Sequence, residues 1–131
     1  MAAELEYRMV DEGMSGLAYE PVVAAGSNAL VLHYVKNMHL LRAGELVLVD
    51  AGGMDYFSYR SDISRTYPVS GSYTPAQMDL YRLVHSVQKC IIGKCRQDLG
   101  LGISDLYRES LCLMYEGLLN LGFRTNIRVS D

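Results

Sequence analysis

The chain has 131 residues, of which 50% are hydrophobic and 21% charged, so it is long enough for one globular domain and too short for two separate cores. Lysine and arginine number 12 against 15 aspartates and glutamates, and this balance offers no basic footprint for nucleic acid or anionic lipid. No apolar stretch approaches the roughly 20 residues of a bilayer span. The N-terminus has neither a secretory signal nor an arginine-rich presequence, so no targeting segment is expected in this chain.

The three cysteines, Cys90, Cys95 and Cys112, are an odd number and lack the CxxC spacing. Both a disulfide framework and a thiolate zinc site are therefore disfavoured. We expect reduced thiols in the interior of the protein.

The first half of the chain predicts one short helix followed by strands. Residues 2–12 are amphipathic and end at Gly13 or Gly16, which is typical of a short helix. Apolar, β-prone runs predict strands at 17–23, 29–34 and 46–50, with a loop over 24–28. After a pair of glycines, the segments 56–60 and 63–69 are expected to form the return strand of a hairpin.

The second half of the chain changes to a helical period. Thr74, Pro75 and Gln77 give three agreeing signals for a helix start, and the apolar stripe continues to Cys95. Ser104 is the predicted N-cap of a second helix that ends at Gly122. The order of elements predicts an α+β fold, with a mostly antiparallel sheet and two long helices on one face.

Two aspartates are the first candidates for chemistry. Asp50 ends an apolar strand, and a carboxylate there must be hydrated, hydrogen-bonded or bound to a cation. If 46–50 and 62–69 are the arms of a hairpin, Asp62 could face Asp50 across strands about 4.8 Å apart and share a divalent metal ion. Aspartates near turns also commonly cap backbone amides, and spacing alone leaves both interpretations open.

His33 and Tyr19 have ordinary structural explanations when each is taken alone. His33 lies in an apolar run, where a single histidine is more often a packed core or edge residue than a catalytic one. Tyr19, between Ala18 and Glu20, is consistent with simple strand packing.

These positions taken together resemble the pita-bread metallopeptidases, and in particular the aminopeptidase P (Xaa-Pro aminopeptidase) branch close to its mitochondrial intermediate-cleaving form. The matching segments are LAYEPVVA at 17–24, LHYVKN at 32–37, GELVLVDAG at 44–52, SDISRTYPV at 61–69 and the helix start YTPAQ at 73–77. The resemblance implies half of a pita-bread fold with a curved sheet. Residues 1–131 would then be a partial metallopeptidase catalytic domain, truncated at its C-terminal side.

The resemblance also implies a function, which is removal of an N-terminal residue that precedes proline in a peptide or protein. In this family the reaction uses two divalent metal ions, usually manganese, with zinc or cobalt as alternatives. Carried over by motif, Asp50 resembles the ligand of one ion and Asp62 the ligand that bridges both. His33 matches the catalytic histidine that contacts the substrate, and Tyr19 a tyrosine of the substrate pocket. The family suggests a mitochondrial or cytoplasmic location.

The chain departs from the family pattern in two ways. Three further metal ligands of the family, a histidine and two glutamates, come from the second half of the fold and are expected to lie beyond Asp131. Glu109 and Glu116 lie in the wrong motif context to replace the two glutamates. The chain alone is therefore expected to be inactive, with a bare sheet face that favours aggregation or homo-oligomers. The aspartate spacing is also one residue longer than usual, which we expect the turn or a bulge near 52–57 to absorb. A non-catalytic interaction module on the same fold, and a relative of prolidase or methionine aminopeptidase, remain alternatives.

Overall fold

A computed structural model describes residues 1–124, apart from the side chain of Gln97. The chain divides into two compact units, one covering 1–73 and the other beginning at Thr74. The first unit contains the strands and the second contains the two long helices. The predicted α+β class, with antiparallel strand pairing, is confirmed.

The first unit contains two small antiparallel sheets. The larger sheet has the strand order β2-β3-β5, and β1 pairs with β4 in the smaller one. The elements of this unit are α1 (Ala2–Asp11), β1 (Gly16–Leu17), β2 (Val22–Ala25), a 3-10 helix (Gly26–Leu30), β3 (Leu46–Ala51), β4 (Gly53–Met54) and β5 (Ile63–Pro68).

One buried cluster of this unit lies on a single face of the larger sheet, and Val22 and Ala24 on the other face of β2 are buried as well. Val23, Ala25 and Val47 form a buried cluster, and Leu5 of α1 packs against it. Successive side chains of a strand point to opposite faces. Asp50, three residues after Val47, therefore projects from the face opposite to α1.

The second unit is built from two helices that pack on each other. They are α2 (Pro75–Lys94) and α3 (Ile103–Asn120). The predicted start of α2 is confirmed, because Thr74 and Gln77 form a reciprocal capping box. The Leu83 side chain of α2 packs directly on Gly117 of α3, in the space that a side chain at position 117 would fill.

Two predictions for the second unit are corrected. Helix α3 begins after Gly102 rather than at the predicted cap Ser104, because the Asp105 carboxylate reaches back 2.9 Å to accept a hydrogen bond from the Gly102 amide. The cysteines were expected in the interior, but Cys90 and Cys95 are exposed. None of the helices in the described part of the chain is both long and apolar enough to cross a bilayer.

The predicted strand at 29–34 is wrong. Strand β2 extends two residues into the expected loop and ends at Ala25, and Gly26 then turns the chain into the 3-10 helix with a φ of +56°. The outer edge of β2 is occupied by the side chain of Asn37, which bonds to two of its backbone groups. Asn37 thus takes two of the backbone groups to which a further strand alongside β2 would bond.

The predicted strand at 56–60 is also wrong, since its first residues form the tip of the hairpin. Asp55 Oδ1 accepts hydrogen bonds from the amides of Phe57 and Tyr59 at 2.8 and 2.9 Å. Ser58 has a φ of +68°, as the last residue of a three-residue hairpin loop commonly does. The Asp55 side chain thus stabilises a turn where β-propensity alone predicts a continuous strand.

The hairpin keeps one register along its whole length. Strands β3 and β5 pair from Leu46 opposite Pro68 to Ala51 opposite Ile63. Beyond this ladder, Met54 still faces Arg60 in the same register. Between the two paired stretches, the backbone of Gly52 passes so close to Ser61 that a side chain would not fit.

Replacing Gly52 by alanine should destabilise this hairpin, because the added Cβ would collide with the Ser61 carbonyl. We expect the free energy of unfolding to fall by about 1–3 kcal/mol, the usual cost of overpacking a close contact. Urea denaturation followed by circular dichroism measures the change. Gly16→Ala is the matched control, since nothing lies within 4 Å of a Cβ at that position. Equal stability of the two variants would contradict the close approach.

Candidate metal and substrate site

Three side chains of the first unit meet at one hydroxyl group. The Tyr19 hydroxyl lies 2.6 Å from Asp50 Oδ1 and 2.8 Å from Asp62 Oδ1. The two carboxylate oxygens can therefore be no further apart than the sum of those two lengths. Tyr19 and Asp50 are half-buried, whereas Asp62 is exposed.

The strand register explains why the two aspartates converge. Asp50 faces Ser64 across the β3–β5 ladder, and Asp62 lies two residues before Ser64. Residues two apart in an extended chain share a face, so Asp62 is a diagonal cross-strand neighbour of Asp50. The extra residue in the aspartate spacing turns neither side chain away from the other.

The segment that carries Tyr19 is fixed by two hydrogen bonds to the hairpin. The Ala18 amide donates to the Gly52 carbonyl at 2.8 Å. The Arg60 guanidinium donates to the Ala18 carbonyl at 2.6 Å through Nη1. Both partners of Ala18 lie on the hairpin that carries the aspartates, so the phenol and the carboxylates are positioned by one piece of structure.

An open cavity of about 390 Å³ lies at these side chains. His33 reaches it from the irregular segment after the 3-10 helix, where its backbone is left-handed with a φ of +54°. Its side chain is exposed, so the expectation of a packed strand histidine is not met. The structure thus brings all four predicted site residues to one cavity, which is lined by Tyr19, Glu20, Val22, His33, Val35, Asp50 and Asp62.

The Tyr19 hydroxyl has one proton for the two carboxylates that it contacts, Asp50 and Asp62. Burial raises the pKa of Tyr19 above its ordinary value of 10.0, and the hydrogen bonds to Asp50 and Asp62 raise it further. A phenol has one proton to donate, so it fully satisfies one carboxylate at a time. The second carboxylate lies close to the first without a donor of its own from Tyr19, and a cation would relieve their repulsion.

The two carboxylates of the site suit a hard divalent cation but supply only some of the ligands that such an ion needs. Carboxylate oxygens are the ligands that ions such as Mg²⁺ and Mn²⁺ prefer, and Asp50 and Asp62 bring two carboxylates to one place. An octahedral ion needs more ligands than these. Within residues 1–124, no group of three or more His, Cys, Asp or Glu side chains could hold a metal ion. The pair therefore fits one part of a metal site.

Comparison with known proteins identifies the family. The model of metallopeptidase family M24 matches residues 1–128, so the chain belongs to that family. Intermediate cleaving peptidase 55 of Schizosaccharomyces pombe is 44% identical over all of this chain and 27% of its own length. Human Xaa-Pro aminopeptidase 3 is 40% identical over 98% of this chain and 25% of its own length. The chain thus spans about a quarter of these relatives.

Solved structures show the same fold. A crystal structure of intermediate cleaving peptidase 55 from Saccharomyces cerevisiae superposes with a TM-score of 0.90 at 40% identity, covering 97% of this chain and 33% of that one. Zinc-substituted aminopeptidase P of Escherichia coli, in complex with product, gives a TM-score of 0.86 at 33% identity over 95% of this chain and 28% of that one. The predicted fragment of a pita-bread fold is confirmed.

Sequence reasoning missed the residues that support the site. The sequence predicts a strand at Arg60, and no neighbouring residue indicates its bond to Ala18, which lies 42 residues earlier. Asn37 formed part of the family-like LHYVKN segment but received no role. Its short amide side chain after an apolar run was the available signal, since asparagine tolerates left-handed backbone and bonds to main-chain groups.

Replacing Tyr19 by phenylalanine should make the free energy of unfolding decline less steeply with pH above pH 10.0. The folded protein retains the Tyr19 proton above pH 10.0, whereas the unfolded chain releases it. The stability that Tyr19 contributes is therefore fully present below pH 10.0 and declines as the pH rises beyond it. Urea denaturation in chelator at a series of alkaline pH values measures the slope. Tyr7→Phe, an exposed tyrosine of α1, controls for loss of a phenol as such. A Tyr19→Phe slope equal to that of the unmodified chain would contradict the assignment.

Proposed function

We propose that this chain contributes to the active site of a metal-dependent aminopeptidase that removes an N-terminal residue preceding proline. The observation that carries the proposal is the convergence of the Asp50 and Asp62 carboxylates on one hydroxyl group. Membership of family M24 supports the metal-dependent peptidase chemistry. The preference for proline rests on relatives that are called Xaa-Pro aminopeptidases.

Asp50 and Asp62 would hold a pair of divalent ions in this proposal, with Asp62 bridging both. Manganese is our first choice, and zinc or cobalt could replace it, as the zinc-substituted Escherichia coli relative illustrates for that enzyme. When bound, such a pair supplies Lewis-acid polarisation of the scissile carbonyl and activation of water near neutral pH.

The remaining cavity residues would bind and orient the peptide. The Tyr19 phenol keeps its proton because burial and the two carboxylates raise its pKa, so it acts at neutral pH as a hydrogen-bond donor that fixes the carboxylates. His33, exposed at the same cavity, offers an imidazole that can donate to or accept from the substrate near the scissile bond.

The site is only partly formed by this chain. The further ligands would come from a part of the protein that the relatives have and that has no counterpart here, because the chain spans about a quarter of their length. We also propose a mitochondrial location, since the 35% identical Arabidopsis thaliana relative is called mitochondrial.

The chain should bind Mn²⁺ weakly through the aspartate pair. We expect Asp50→Asn and Asp62→Asn each to lower the Mn²⁺ affinity by roughly tenfold or more, since loss even of groups behind metal ligands has that effect. Electron paramagnetic resonance of free Mn²⁺ during a titration measures the affinity directly.

Glu12→Gln is the matched control for this titration, because it removes one exposed acid of the same unit from outside the cavity. It should leave Mn²⁺ binding unchanged. If all three variants bind like the original chain, the aspartates do not form a metal site. That result would favour a non-catalytic interaction module on this fold.

The 131-residue chain should not by itself hydrolyse Xaa-Pro peptides. Two carboxylates do not fill the coordination sphere of an octahedral ion, so the scissile carbonyl and the water are not held in place. Release of the N-terminal residue from an Xaa-Pro peptide, with manganese added, tests this by chromatography. The same mixture without protein is the baseline. Turnover comparable to that of a full-length relative would show that the site is complete without further ligands.

A further inference from the structure

The segment between the 3-10 helix and β3 carries His33 to the cavity without belonging to any strand. Its start is fixed where the Val31 amide donates to the Asn28 carbonyl at 3.0 Å. Its other fixed point is Asn37, four residues after His33, whose side chain bonds to β2. The position of the histidine therefore depends on what holds these two ends.

The Asn37 amide forms two short hydrogen bonds with the outer edge of β2. Its Oδ1 accepts from the Val23 amide at 2.7 Å, and its Nδ2 donates to the Pro21 carbonyl at 2.7 Å. A neighbouring strand would satisfy the same two backbone groups in the same way. The side chain thus takes the place of one peptide group of such a strand and covers this part of the sheet edge.

Few residues can meet the demands of this position. Asn37 has a left-handed backbone with a φ of +49°, which asparagine adopts more readily than most residues with a side chain. The two bonds need one donor and one acceptor at the end of a short side chain. Aspartate keeps the acceptor and lacks the donor, whereas glycine keeps the backbone and loses both.

We infer that Asn37 is a positioning residue that fixes His33 at the cavity by tethering its segment to the edge of β2. Two residues of the same strand and its approach, Val22 and Glu20, line the cavity beside His33. The tether therefore joins the histidine to one wall of the site. The inference deepens the proposed function, because His33 has its substrate role only there, but the tether itself needs neither metal nor peptide.

Nuclear magnetic resonance of the 131-residue chain, without metal, tests the tether. In Asn37→Ala and Asn37→Gly, we expect the Val23 amide to exchange with solvent roughly tenfold faster, as loss of one hydrogen bond predicts. The order parameter of the His33 imidazole should fall in the same variants. Asn37→Asp, which retains the bond to the Val23 amide, should give an intermediate result. The Ala24 amide, which the alternation of the strand turns toward β3, reports whether the sheet itself is intact.

Asn28→Ala is the matched control, because that asparagine, in the 3-10 helix that precedes the segment, contributes only its backbone carbonyl to the Val31 contact. The inference is overturned if His33 stays as ordered in Asn37→Gly as in the original chain, or if Asn28→Ala loosens it equally. Unchanged exchange at Val23 would also overturn it. Loss of Mn²⁺ binding or of peptidase function would not alter these readouts, so failure of the proposed function is distinguished from failure of the tether.

Discussion

A phenol has a single proton, and at the Tyr19 hydroxyl this proton faces two carboxylate oxygens at 2.6 and 2.8 Å. Bringing two acids this close costs free energy unless a positive charge is shared between them. A bound cation or an additional proton would supply that charge. The remaining features of the first unit are best understood as the means of holding these three side chains together.

The hairpin provides most of this support through its backbone. Its register places Asp50 and Asp62 on one face, although Gly52 interrupts the ladder between them. The same glycine accepts a hydrogen bond from Ala18, which precedes Tyr19, and Arg60 bonds to Ala18 from the other arm. A shift of either arm would therefore move the phenol together with the carboxylates. The site depends on backbone contacts between segments that are far apart in sequence.

Local patterns predicted those parts of the fold that local forces determine. The start of α2 at Thr74 was predicted correctly, because the capping residues are adjacent in sequence and bond to each other. Strand β3 was predicted from its apolar run and extends one residue further than expected. Strand position singled out Asp50 and Asp62 as a possible metal pair, with turn chemistry as the alternative. The family resemblance favoured the metal pair and added His33 and Tyr19, and the structure brings all four residues to one cavity.

The two missed segments show what local patterns cannot supply. Residues 29–34 and 56–60 are rich in β-prone side chains, yet a polar side chain determines the backbone in each region. Asn37 bonds to the edge of β2 beside the first segment, and the Asp55 carboxylate accepts hydrogen bonds from two amides of the second. β-propensity reflects packing against a partner strand, so it fails where the partner is absent or already satisfied. In other sequences, an asparagine or aspartate beside a β-prone run indicates that the run need not form a strand.

We propose that Asp50 and Asp62 share a cation, and crystallography of the chain soaked with Mn²⁺ tests this most directly. Anomalous scattering at an energy where manganese absorbs locates the ion independently of any assumption about its ligands. We predict a peak that contacts one oxygen of each carboxylate within the roughly 2.0–2.6 Å range of bonds from oxygen to hard divalent cations. A peak bound to only one aspartate, or none at the pair while the crystal holds manganese elsewhere, would contradict the claim.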